Sequence, residues 1–443
     1  MGTLHAKSVS VGVDSEEDNL VKFNKSPVHV QRVTVDGLTR TKDDVVAEEI
    51  KKLLAAKTFD ELVQLSHDAK VKMQALGLFE NVVIAIDVSK DGKENGYEVL
   101  FQVQEFRCVG CGVQTAFGEN EVCVDFQIKM PNMLGRGEQL SLVYRLGTRD
   151  SQYGAFYQKP LNNDPNFVFG CTAYKFNGQF PWSGYRETDK GTAVSLDFRT
   201  SLGSHRLQWE SVLRDLRALS INTSFAVREQ SGYSLKSSIK HTFSIDSRDD
   251  VVLPSVGTLW QICQEYAGLG GNVEYAKQDG TFQWNVSLAP DAVFQVSLAG
   301  GIMTSLGTDI SICDKFFLGG PLTLRGFDLK SIGPCSEADA LGAESYWLSA
   351  AHIYCPLPFG WYGDHFKTHL FINAGNLGNM SLWHPFSSIY QMASTFRWSY
   401  GFGIVWHVSG AVRLELNYVI PKRLQNGDKA CPGLQFGIGI KFL

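Results

Sequence analysis

An arginine set among apolar residues is the first feature of this sequence that could do chemistry. Arg325 stands in FFLGGPLTLRGFDL, Phe316–Leu329, between Leu324 and the pair Gly326-Phe327. Pro321 has no ladder donor, and Gly319 and Gly320 loosen the backbone. A regular element therefore ends there, and Leu324, Arg325, Gly326 and Phe327 fall in a loop. Such a guanidinium either docks as a finger in a polar cavity, where it needs acceptors, or stays exposed in a turn. Cys108-Val109-Gly110-Cys111 is a CxxC with no second pair at zinc spacing and no strand-then-helix context, so it reads as two linker cysteines. Serine, histidine and aspartate occur without a nucleophile arrangement, and no phosphate loop is present. No enzyme, cofactor or metal is expected. Asp246, Arg248 and Asp249 in DSRDDVVLPSVG read as an ion network at a strand end, and Gly135 and Gly137 in PNMLGRGE as turn glycines.

The elements that must position such a loop follow from composition and period. The 443 residues carry a net charge of -5 with a pI of about 6.1, which gives no footprint for nucleic acid. No stretch reaches the roughly 18 apolar residues of a membrane-spanning helix, although a membrane barrel, whose apolar residues alternate with polar ones, stays open. The 43 glycines and 12% aromatic residues favour turns and strands. The start, MGTLHAKSVSVGVDSEEDNL, has neither the apolar core of a signal peptide nor the Arg-rich, acid-poor character of a transit peptide. Nine cysteines without a framework fit a chain made in a reducing cytosol.

Residues 1–27 read as a flexible polar tail. From Val28 to Phe106 the pattern predicts a small α+β domain. Strand HVQRVTVDGL is followed by a helix introduced by the capping-box spacing of Thr41 and Asp44, a second helix over Asp60–Leu76, and strands VVIAIDV and YEVLFQVQEF. Beyond Gly118 period two takes over. In VCVDFQIKM, residues Val122, Val124, Phe126 and Ile128 share one face, and similar alternation recurs in HRLQWESVL, TFQWNVSLA, VRLELNY and the closing LQFGIGIKFL. Alternation alone leaves a membrane barrel, a soluble barrel or propeller, and a β-sandwich open. Small or charged residues on the non-apolar faces, and an ending on an alternating strand, fit a barrel with a polar lumen and lipid outside.

Four motifs, PNMLGRGE, DSRDDVVLPSVG, FFLGGPLTLRGF and LQFGIGIKFL, in this order and spacing, resemble the BamA-type outer-membrane protein insertases. Within them the chain looks most like the barrel subunit of the mitochondrial sorting and assembly machinery. The resemblance implies a transmembrane β-barrel of about sixteen antiparallel strands over 118–443, preceded by one POTRA domain over 28–106. It places the chain in the mitochondrial outer membrane with the POTRA domain toward the intermembrane space, a chloroplast-envelope relative being the alternative. The implied function is insertion of β-barrel precursor proteins, with membrane lipid and other subunits of the machinery as partners. A channel that conducts solutes or polypeptides, and a soluble β enzyme, are the competing readings.

The resemblance also implies that the arginine loop folds into the lumen, with Phe327 packed beside Arg325. Where bacterial members offer acids on late strands, this chain has His352 and Asn373. Counting by twos from His352 reaches Glu344, and Glu415 lies between Arg413 and Asn417, so Arg325 is expected to pair with Glu344 or Glu415. Precursor templating would need a lateral seam, expected between Val122, Val124, Phe126 and Ile128 on one side and Gln435, Gly437, Gly439 and Lys441 on the other. Gly437 and Gly439 either weaken the last strand or make room for a lumen loop.

Overall fold

The computed structural model describes residues 27–89, 95–118, 121–289, 292–307, 309–357, 365–380, 385–408, 412–440 and 442. The expected tail, apart from Pro27, and Lys441 lie outside the described residues. The chain forms two compact units. One runs to Gly110 and includes Lys129–Leu140 and Lys159–Pro165, and the other is made by the rest.

In the first unit, strands His29–Asp36, Phe79–Val88 and Gly96–Glu105 form one sheet with the third in the middle. The first pairs parallel with the third, a connection that requires a crossover, and helices Asp43–Leu53 and Phe59–Ala75 supply it. Their apolar stripes close the core, in which Leu53, Leu62, Val82 and Phe101 are fully buried.

The capping box expected at Thr41 does not form. The first helix is capped at Lys42 with no side-chain bond, and the Thr41 hydroxyl instead accepts from Asn132 Nδ2 at 2.7 Å. The reciprocal cap sits on the second helix: Thr58 accepts from Glu61 N, and Glu61 Oε2 accepts from Lys57 N at 2.9 Å. Glu105 closes the sheet, accepting backbone N–H groups of Thr39, Arg40 and Thr41 at 2.9–3.2 Å. Burial alone would raise its pKa, but the bonds from Thr41 and Thr39 outweigh burial and hold it at about 2. The turn Asn132–Gly137 uses left-handed backbone at Asn132, Gly135 and Gly137, and the Asn132 carboxamide accepts from Gly137 N at 3.0 Å.

The second unit is dominated by one sheet of sixteen strands, in which each strand neighbours the next in sequence from Gly110–Gly118 to Gly433–Gly439. Antiparallel pairing follows wherever the register is described, from Asp164–Phe180 onward. The longest interruption, 306–344, separates Ala292–Ser305 from Ser345–Pro356 and carries a hairpin of two two-residue strands. Strand Val412–Lys422 shows the division of faces: Arg413, Glu415 and Asn417 are buried, whereas Leu416 and Tyr418 are 48% and 44% exposed. Exposed Trp209, Trp260, Trp284, Phe402 and Phe436 extend this apolar face across the sheet. An apolar outside and a polar, filled inside define a membrane barrel and leave the soluble alternatives without support.

Two boundaries differ from the sequence reading. The sheet begins at Gly110, before the expected 118, so Cys111 belongs to a strand and is no linker residue. Three glycines in GCGVQTAFG weaken the period-two signal that would have revealed it. The last strand stops at Gly439, and Phe442 turns back into the interior with 8% exposure.

Candidate functional site: the arginine loop and the closing strand

The 306–344 loop lies inside the sheet, anchored by apolar side chains. Leu324 and Phe327 are fully buried with Leu318, Ile332, Leu348 and Leu377. The backbone there needs glycine. Gly326 has φ +87, and a Cβ on it would lie 2.9 Å from Val419 Cγ1.

That placement aims Arg325 at the inner face of the last strands. Its guanidinium donates from Nε and Nη2 to both Glu415 oxygens at 3.1 and 3.2 Å, a forked geometry suited to a carboxylate. Both side chains are wholly buried. Glu415 also meets Arg413 Nη2 and accepts from Asn417 Nδ2 at 2.8 Å. Arg413 in turn donates to Tyr354 OH at 2.7 Å. The two guanidinium carbons lie over the Phe442 ring, at 5.7 and 4.7 Å, and Arg325 also faces Phe371 at 5.1 Å. Of the two expected partners, Glu415 is therefore the one brought to Arg325. Glu344 is half-buried, just outside its strand, with its N–H donated to Asn379. It precedes Ser345, where the strand begins, so counting by twos ran past the end of the element.

His352 and Asn373 also face this centre. His352 is buried in a triangle of rings with Tyr354 and His369, each 5.6 Å away. Asn373, in the amide orientation that satisfies its neighbours, accepts from Arg325 N at 2.9 Å. Ser399 Oγ donates to the Arg325 carbonyl at 2.5 Å, completing a polar shell around a charge that would otherwise be costly to bury.

The closing strand is clamped by the same loop. Gln435 accepts from Gly326 N at 3.0 Å and donates to the Phe327 carbonyl at 3.1 Å. A Cβ on Gly437 would approach Pro321 and Phe442, and one on Gly439 would approach Leu322, each at 3.1 Å. The space beside these glycines is occupied by the loop.

The expected seam needs correction on one side. Val122, Val124, Phe126 and Ile128 lie on Glu121–Pro131, the second strand, and the first edge is Gly110–Gly118. The two ends of the sheet are thus Gly110–Gly118 and Gly433–Gly439.

A second anchor of the loop is absent from the sequence reading. Asp314 pairs with Arg214 at 2.7 Å and accepts from Tyr275 OH at 3.0 Å, with Lys236 at 3.6 Å. Glu187 and Glu265 neutralise the same two cations from the wall. Strand alternation puts Arg214 and Lys236 on the inner face, but no local pattern in a loop marks Asp314 as their partner. At the strand end before Pro254, the expected network is present: Asp246 forks to Arg248, which reaches Gln283 Oε1 at 2.9 Å, and Asp249 caps Ser255 and Val256.

A sixteen-stranded membrane barrel whose last strand is gripped from within by an arginine loop is the class of protein that fold and site define. An Omp85 superfamily domain matches residues 132–442. The chain is 43% identical to sorting and assembly machinery component 50 homolog B of Xenopus laevis and 42% identical to the Homo sapiens homolog, over 100% of both chains in each case. BamA from Haemophilus ducreyi lacking POTRA domains 1-3 has the same fold, with a TM-score of 0.77 at 18% identity over 93% of this chain and 84% of that one. The chain belongs to the Omp85 superfamily and, within it, to the sorting and assembly machinery component 50 family. It is a mitochondrial outer-membrane protein.

Proposed function

We propose that this chain inserts and assembles β-barrel precursor proteins in the mitochondrial outer membrane, working with other subunits of the sorting and assembly machinery. The observation that carries the mechanism is the closing strand. It has seven residues, against fifteen in a central strand such as Ser204–Ala218, and besides its pairing with Val412–Lys422 it is held through Gln435 by the arginine loop. A short edge strand held from within can part from Gly110–Gly118 without unfolding its own barrel. The unpaired N–H and C=O groups then template an incoming precursor strand. The small α+β unit acts as a POTRA domain facing the intermembrane space, its sheet edges offering a second pairing surface for precursors.

Replacing the chain in mitochondria by a variant lacking 434–443 tests this reading. Barrel precursors are expected to accumulate unassembled, while helical outer-membrane proteins insert normally. Normal precursor assembly together with an altered membrane conductance would instead make the chain a passive channel.

A further inference from the structure

The outer wall of the barrel carries a feature that neither the lumen site nor the seam uses. A groove of about 1120 Å³ runs across the faces of the early strands, floored by Phe126, Ile128, Tyr144, Tyr153, Leu213 and Leu235. These residues belong to the lipid side. Phe126 stacks on Tyr144 at 6.2 Å, while the alternate residues Asp125 and Arg145 pair on the opposite face. Leu213 is exposed, whereas its neighbour Arg214 reaches Asp314 inside.

Among the residues lining this groove, Lys175 and Lys190 stand directly opposite each other on paired strands. Lys190 also pairs in register with Leu213, and Lys175 lies 5.7 Å from the Tyr153 ring, so both ammonium groups share the outward face. Like charges opposite each other in a sheet repel. Two carboxylates on the neighbouring strands Tyr185–Arg199 and Ser204–Ala218 are engaged elsewhere. Glu187 faces inward to Arg214, and Asp215, on the outer face, is forked to Arg217.

Depth fixes what would relieve the two lysines. Along Asp164–Phe180 the outward residues run Phe167, Phe169, Cys171, Ala173 and then Lys175, Asn177, Gln179. The facing strand runs Phe198, Leu196, Val194, Thr192 and then Lys190, Thr188, Arg186. The lysines are thus the first charged row next to the apolar band, at the level of headgroups, with a tyrosine and the apolar groove beside them.

We propose that Lys175 and Lys190 bind the headgroup phosphate of an anionic phospholipid whose acyl chains lie in the groove beside them. The phosphate offsets the repulsion between the two ammonium groups, and the aromatic floor holds the chains. The site thereby ties a defined lipid to the early strands of the sheet.

The test is native mass spectrometry of the full chain released from nanodiscs of phosphatidylcholine containing a minority of cardiolipin, repeated with phosphatidylinositol. The wild type is expected to retain an anionic phospholipid preferentially. Lys175→Gln with Lys190→Gln is expected to weaken retention by about thirty-fold, from roughly one interfacial contact's worth per lysine. Lys175→Arg with Lys190→Arg is expected to keep it. Should the double Gln variant not fold, Lys190→Gln alone still reads the site through a partial loss. Equal retention by wild type and the folded Gln variant, or no preference over phosphatidylcholine in the wild type, would overturn the proposal.

Discussion

Glu415→Gln is the perturbation that the lumen geometry makes most informative. The carboxylate is fully buried and faces two guanidinium groups, Arg325 at 3.0 Å and Arg413 in closer contact. The amide keeps the shape and removes the charge, leaving two buried cations on neutral acceptors. Removing one partner of a buried ion pair costs about 3–5 kcal/mol. Arg325→Ala is milder, because Arg413 still neutralises Glu415. It forfeits charged hydrogen bonds worth about 1.5–3 kcal/mol. Combining the two substitutions relieves one unpaired cation, so the double variant costs less than the sum of the singles by about 1–3 kcal/mol. Urea unfolding in detergent gives the ranking, and limited proteolysis of 306–344 in the folded barrel reports whether the loop has left the lumen. The reasoning fails if Arg325→Ala destabilises more than Glu415→Gln, or if the loop in both variants stays as protected as in the wild type.

Gly437→Val places branched carbons against Pro321 and Phe442 and is expected to expel the loop or free the closing strand, seen as new protease sites without loss of the barrel. Asp314→Asn leaves Arg214 and Lys236 to Glu187 and Glu265, so it forfeits charged hydrogen bonds worth about 1.5–3 kcal/mol, measured by urea unfolding. Glu105, held at about 2 against an ordinary 4.5, favours the folded state while ionised. Its contribution is complete above pH 4.5 and is lost as pH falls toward 2, so hydrogen exchange in 29–105 should accelerate over that window. In Glu105→Gln the window should flatten.

The strands were legible because a period of two survives any tertiary context, and the inner positions of Val412–Lys422 announce themselves as Arg-Glu-Asn on alternate residues, whereas their closure into a sixteen-stranded membrane barrel rested on the four motifs. Glu415 was accessible as a candidate by the same count. Glu344 was not separable from it, since the count cannot see where Ser345 begins its strand. The first strand escaped because Gly110, Gly112 and Gly118 contribute no alternating side chain, and the seam was therefore assigned one strand too late. Asp314 escaped for a different reason. Its partners lie 100 and 78 residues upstream, at Arg214 and Lys236, and only the folded loop brings them together.

The central claim is that the two ends of the sheet part to admit a precursor. Cys111, already exposed on the first strand, can be paired with a panel of single cysteines along Gly433–Gly439, in a chain whose other cysteines are replaced, and crosslinked in mitochondria before a barrel precursor is imported. The account predicts that a crosslinked barrel remains folded but no longer assembles precursors, and that reduction restores assembly. Undiminished assembly with the ends covalently joined would contradict it.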